Sequence, residues 1–233
     1  MGKRIIVQAR GHGSKSYRVR PNAFRIRLTY PKKLAGEGEV IKLVNSTGHS
    51  APLAKIKYNN GIFFIPAFKG MVENQKINFD SKEVREGNIM RLKDIPMKTP
   101  IYNIESRPGD GGKFIKTGGS HSEISKIIGE DIYLLLPSRK EKKFNRECRA
   151  VIGTIAGSGR IDKPIVKAGK AFYIRKSRNK LWPRTSAVKM NAIDHPFGSG
   201  RGKVPKSKIA KRNAPPGARV GLIRPKRTGG KKR

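Results

Sequence analysis

Apolar and polar positions alternate over short stretches through the middle of the chain. Val40-Ile41-Lys42-Leu43-Val44 is rich in β-branched residues, and Ala54-Lys55-Ile56-Lys57-Tyr58 alternates apolar with basic. A period of two turns one set of side chains toward a core and the other toward water, which predicts strands. Asn60-Gly61 then separates the second run from Ile62-Phe63-Phe64-Ile65, and that dipeptide between two such runs predicts a two-residue hairpin. Lys76-Ile77-Asn78-Phe79 continues the pattern, so residues 36–86 read as a small barrel or sandwich.

A second series follows Glu86-Gly87. Its strand candidates are Ile89-Met90-Arg91-Leu92, Ile101-Tyr102-Asn103-Ile104, Lys113-Phe114-Ile115, Asp131 to Leu136 and Ala150-Val151-Ile152-Gly153, with Gly or Pro in nearly every gap. The one helix expected in this stretch is short, from Glu123 to Ile128. Residues 87–170 thus read as a second all-β module, and each module lies near the lower size for an independent core.

Charge changes the picture at both ends. The 233 residues carry a formal net charge of +37, and residues 1–35 and 171–233 hold +10 and +18 of it with Asp194 as their sole acid. Only 19 of those 98 residues are Leu, Ile, Val or Phe, against 36 of the 135 between them. Segments so poor in apolar side chains do not easily bury a core, so they are expected to order on a polyanion. A merely soluble surface intersperses acids with its bases, and these ends do not. Nucleic acid is the natural partner. A membrane is not, because nothing approaches the roughly 20 apolar residues of a spanning helix and Ile5-Ile6-Val7 is too short for a signal peptide. Cys148 is the single cysteine, which excludes an internal disulfide and paired-cysteine zinc, fits a reducing cytoplasmic setting, and reads as a small apolar residue in or beside a strand.

Candidate chemistry is sparse. No Gly-x-Gly continues to a dinucleotide fingerprint, and no Gly-Lys precedes Ser or Thr as a nucleotide-binding loop requires. Gly109-Asp110-Gly111-Gly112-Lys113 reads equally as close approach to an RNA backbone or as a tight turn. His12, His49, His121 and His195 are far apart in sequence, so no local metal pair exists. Asp194-His195-Pro196 fits an oriented imidazole for acid–base work, although RNA contact without chemistry is the better reading. Trp182, near Phe172 and Tyr173, lies among Arg175, Lys176, Arg178, Lys180 and Arg184. That interleaving suits unstacked bases, and a small hydrophobic plug explains it as well.

Several motifs then occur in a familiar order: Lys98-Thr99-Pro100-Ile101-Tyr102-Asn103-Ile104-Glu105, Pro108-Gly109-Asp110-Gly111-Gly112, Leu136-Pro137-Ser138, Cys148 to Gly153, Met190-Asn191-Ala192-Ile193-Asp194-His195-Pro196-Phe197-Gly198, and Pro215 to Ile223. Together they span most of the chain, which resembles the L-two family of large-subunit ribosomal proteins. The resemblance implies an oligonucleotide-binding-type barrel followed by an SH3-like barrel, with long basic irregular extensions. It also implies a primary binder of large-subunit ribosomal RNA that supports assembly and subunit association, with its 190–202 loop sent toward the peptidyl transferase centre. Bacterial members usually carry a second histidine where this chain has Phe197, so it looks like the archaeal and eukaryotic branch, and a side-chain role in peptide bond formation is weakened.

The expectation is therefore a structural RNA-binding protein and not an enzyme, cytoplasmic in ribosomes. Its partners would be the large-subunit RNA, neighbouring ribosomal proteins and the small subunit at the interface. No cofactor is expected apart from magnesium ions associated with the RNA. Expected RNA contacts are Arg10, Lys15 and Arg18 in the N-terminal extension. In the C-terminal one they are Arg175, Arg178, Trp182, Arg184, Asn191, His195, Gly198, Arg201, Lys203, Lys211, Arg212 and Arg219. A chromatin-like condensing protein shares the charge but needs no barrels, and a nucleic-acid enzyme would use Asp194 and His195.

Overall fold

The computed structural model describes residues 3–203 apart from Arg20, Asn60 and Lys82, together with Asn213. Two compact units make up the chain: Arg20–Val166, and the end segments Met1–Val19 with Lys167–Arg233.

The first unit is built on ten strands: β1 (Gly36–Val44), β2 (Leu53–Tyr58), β3 (Gly61–Pro66), β4 (Lys76–Phe79), β5 (Ile89–Arg91), β6 (Pro100–Tyr102), β7 (Ser122–Ile128), β8 (Asp131–Leu135), β9 (Glu141–Asn145) and β10 (Arg149–Ile152). They join in one sheet in the order β3-β2-β1-β4-β5-β10-β6-β7-β8-β9. Phe79 of β4 meets Ile89 of β5 in parallel, and the other described neighbours are antiparallel. The all-β reading, with barrel-type cores and few helices, holds.

Alternation in the sequence becomes burial in the sheet. Ile77 and Phe79 are buried while Lys76 is exposed, and Ile56 is buried between Lys55 and Lys57. One core gathers Val40, Ile56, Phe63, Ile65, Ile77 and Phe79. A second gathers Leu92, Ile101, Ile124, Ile132, Leu134 and Phe144. Each fully buried side chain of this size stabilises the fold by about 1.5–3 kcal/mol. The first core also takes residues from far along the chain, with Tyr30 and Leu34 from before β1 and Tyr102, Val151 and Ile155 from after β5. The Tyr30 hydroxyl donates to the Asn103 carbonyl at 2.6 Å, and the Tyr102 hydroxyl donates to the Pro66 carbonyl at 3.0 Å. Burial pushes both phenols well above their ordinary range.

The helix expected from Glu123 to Ile128 is instead strand β7. Ile124 is buried and pairs with Leu134, a bulge follows before Lys126, and the strand runs on to pair Ile128 with Asp131. As a strand the segment pairs with β6 on one side and β8 on the other, which satisfies its backbone groups and buries Ile124. The β2–β3 turn also differs by one residue. Tyr58 pairs with Gly61, and Asn59 takes the left-handed conformation at φ 42°. Gly61 is needed for space: a Cβ there would lie 2.8 Å from the Tyr58 ring. Lys113-Phe114-Ile115 forms only the isolated bridge between Ile104 and Phe114. β9, Glu141-Lys-Lys-Phe-Asn, has Phe144 as its one buried residue, too weak an alternation to read in advance.

The second unit contains α1 (Ile6–Gly11) and α2 (Ala168–Ser177), and neither helix has a buried residue. The large apolar residues of α2 are the contiguous Phe172, Tyr173 and Ile174, so no helical period marks it in the sequence.

Candidate nucleic-acid interface

The end of α2 positions the residues that follow it. Asn179 adopts φ 48°, its N–H donates to the Lys176 carbonyl at 3.1 Å, and the Lys180 N–H donates to the Arg175 carbonyl at 2.9 Å. This pair of bonds reverses the chain over the last helical turn, with asparagine in the left-handed position that glycine usually fills. Trp182 thereby comes back to Arg175, whose guanidinium lies 4.5 Å from the centre of the indole ring. Lys176 lies 5.5 Å from the ring of Phe172, one turn earlier on the same helix. Tyr17 of the N-terminal segment joins Phe172, Lys176, Lys180, Leu181 and Trp182 around a cavity of about 230 Å³.

The 190–202 loop is closed by its own backbone. The N–H groups of Asp194 and His195 donate to the Asn191 carbonyl at 3.0 and 3.3 Å, the Gly198 N–H donates to the His195 carbonyl at 2.9 Å, and the Ser199 N–H donates to the Met190 carbonyl at 3.0 Å. Gly198 is the residue this closure requires, because a Cβ there would lie 2.2 Å from the Asn191 carbonyl oxygen. His195 Nδ1 accepts the Phe197 N–H at 3.1 Å, and the two rings stand 5.0 Å apart. Burial holds the imidazole below its ordinary pKa of 6.5, so it is neutral at pH 7. The Asp194 carboxylate turns to Lys3 Nζ at 3.2 Å, and the Lys3 N–H donates to the Ile193 carbonyl at 3.2 Å. The N-terminal segment therefore fastens the loop, and Asp194 is committed to a cation.

The remaining expected contacts divide by exposure. Arg10, in the last turn of α1, and Lys15, Arg18, Arg184, Asn191, Arg201 and Lys203 are exposed. Arg18 also donates to the Gly13 carbonyl at 2.6 Å. Arg175 and Arg178 are half-buried at the end of α2. Lys211, Arg212 and Arg219 lie outside the described residues. Tyr17 and Asn179 were not among the expected site residues; a lone tyrosine in a basic stretch carries no signal, whereas an asparagine after a basic helical turn is a readable stop.

The two units handle charge differently. In the β unit, Arg149 pairs with Asp80 at 3.1 Å, Arg91 and Lys93 share Glu147 at 2.8 Å each, and Lys126 pairs with Glu141 at 2.7 Å. Among the described residues of the other unit, Lys3 and Asp194 form the one ion pair, and the other cations face no carboxylate. The Gly109–Gly112 stretch proves to be a turn: Asp110 accepts the N–H groups of Ser106, Arg107 and Gly112, and a Cβ at Gly111 would lie 1.9 Å from the Thr29 hydroxyl oxygen. Cys148 is buried, and burial, reinforced by the Glu105 and Asp110 carboxylates, raises its thiol from about 9 to about 11. Among the described residues no three His, Cys, Asp or Glu side chains gather where they would hold a metal ion, and no helix is long and apolar enough to cross a membrane.

A family model described as "Ribosomal Proteins L2, C-terminal domain" matches residues 85–217. The "Large ribosomal subunit protein uL2" of Archaeoglobus fulgidus is 42% identical over 234 residues, covering 98% of this chain and 99% of that protein. The protein of the same name from Hyperthermus butylicus is 43% identical over 239 residues, with both chains fully covered. The motif order, the β unit and full-length similarity to two archaeal relatives converge, and the chain belongs to the L2 (uL2) family of ribosomal proteins.

Proposed function

We propose that this protein is a structural constituent of the large ribosomal subunit that binds ribosomal RNA chiefly through its second unit. The observation that carries the reading is the contrast in charge: among the described residues, eight Lys or Arg side chains of the β unit are paired with carboxylates, whereas in the second unit only Lys3 is, and the rest of its cations are left for phosphates. The β unit supplies a rigid base, and the extensions neutralise charge where RNA helices pack. The 190–202 loop reaches toward the peptidyl transferase centre, and the protein supports assembly and subunit association alongside neighbouring ribosomal proteins and the small subunit. Its place is the ribosome in the cytoplasm, with magnesium held by the RNA.

The chemistry belongs to the RNA on this reading. A general base needs an available lone pair and an orienting partner. Here Nδ1 of His195 is occupied by the Phe197 N–H and Asp194 is paired with Lys3. Crosslinking the protein in native particles and mapping the attached nucleotides tests the placement: loop residues joined to RNA remote from the catalytic centre would overturn it. Subunits reconstituted with His195→Ala are expected to form peptide bonds at an unchanged rate, and loss of turnover in correctly assembled subunits would reinstate a catalytic role.

A further inference from the structure

The cavity beside α2 holds features that a charged, solvated surface does not need. A ten-residue helix with no fully buried side chain gains little from packing, and helices of that length are marginal in water. Yet α2 displays Phe172 at 37% exposure, and Trp182 is folded back beside it by the left-handed Asn179. The volume of about 230 Å³ lies below the roughly 300–1,000 Å³ of clefts that enclose drug-sized ligands, which suits one planar ring and not a peptide segment. The lining sets the ammonium of Lys176 5.5 Å from the Phe172 ring, includes Lys180, and contains no carboxylate. An occupant that is flat and carries negative charge at its edge satisfies all of these conditions.

We propose that this cavity takes a single unstacked base of the bound RNA, between Tyr17 and the Phe172–Trp182 side, with Lys176 and Lys180 on the adjoining phosphate. The proposal rests on the RNA-binding reading and adds to it the class of ligand. Bases within a duplex are stacked on their neighbours, so the site selects single-stranded, bulged or looped nucleotides. Every base has a π face, so selection is for an exposed base and not for its identity. Arg175 stacks on Trp182 and holds the indole ready for the incoming ring.

Trp182 is the only tryptophan, so its fluorescence reports on the cavity directly. The full chain is titrated at fixed salt with short oligoadenylate, with the same backbone lacking its bases, and with duplex RNA of equal length, while filter retention reports total binding. Oligoadenylate should quench the tryptophan saturably and bind about tenfold more tightly than the baseless strand. Tyr17→Ala and Phe172→Ala should reduce oligoadenylate to the baseless level without altering the salt dependence, and Tyr17→Phe should retain the quench. Equal quenching by the baseless strand or duplex, or retention of all three without selective quenching, overturns the pocket while leaving RNA binding intact. Failure to retain any RNA overturns both.

Discussion

Glu105 is 1% exposed, and its two carboxylate oxygens accept the Gly111 N–H at 3.2 Å and the Arg149 N–H at 2.9 Å. One side chain thus ties the 106–112 turn to the start of β10. Glu105→Gln places an amide donor against one of those N–H groups and leaves it unsatisfied, at a cost of about 1–3 kcal/mol. The midpoint of urea unfolding should fall accordingly, and an unchanged midpoint would mean that the turn repacks. Cys148 provides a pH-dependent counterpart. Below about pH 9 both the folded and the unfolded thiol largely keep their protons, so the contribution of this group to stability does not change there. Between about 9 and about 11 the unfolded thiol ionises first, and the stability this group contributes declines across that window. Thiol-reactive dye at pH 8 should therefore label the native protein slowly and the urea-unfolded chain fast.

At the level of elements, β7 and α2 show local pattern and tertiary context pulling apart. Ser122–Ile128 carries a helix-like run of Ile and Glu, but its pairing with β6 and β8 places Ile124 in the second core. In α2 no side chain is fully buried, and the reversal at Asn179 ends the helix and turns the chain back. Asn179→Gly keeps the left-handed turn without strain, whereas Asn179→Val forces a β-branched residue into it at about 1–3 kcal/mol. The glycine variant should preserve the tryptophan emission spectrum, and the valine variant should shift it toward that of exposed indole. Identical spectra for the two would show that Trp182 is held by something other than the turn.

Across the whole molecule, the two units differ in how many of their described cations are paired with carboxylates. Lys126 and Lys143 are bound to Glu141 and Asp131, so removing them exposes a carboxylate and releases no phosphate contact. Arg10, Lys15 and Arg18 have no acidic partner among the described residues. Replacing these three with Gln should flatten the dependence of log affinity on log salt by roughly 2–3, since each phosphate contact contributes about 0.7–0.9 to the slope. The Lys126→Gln, Lys143→Gln pair should leave that slope unchanged, as read from ribosomal RNA binding across a salt series. Equal effects of the two sets would mean that the β unit carries as much of the RNA interface as the extensions.

Strand character along the middle was legible because burial on one face of a sheet writes a period of two directly into the residues, as Lys76-Ile77-Asn78-Phe79 shows. Charge segregation was equally legible, since it needs no folding to be counted, and the ordered motifs carry the family resemblance by themselves. Interactions between distant positions were not. That Tyr30 and Tyr102 share a core, that Lys3 pairs with Asp194, and that Tyr17 lines the same cavity as Trp182 are matters of proximity, which local composition does not encode. Sequence alone determined that the middle of the chain builds a β core and that the ends carry most of the excess charge; tertiary structure decided which of those charges and rings converge, because a contact depends on the path of the chain between its two ends.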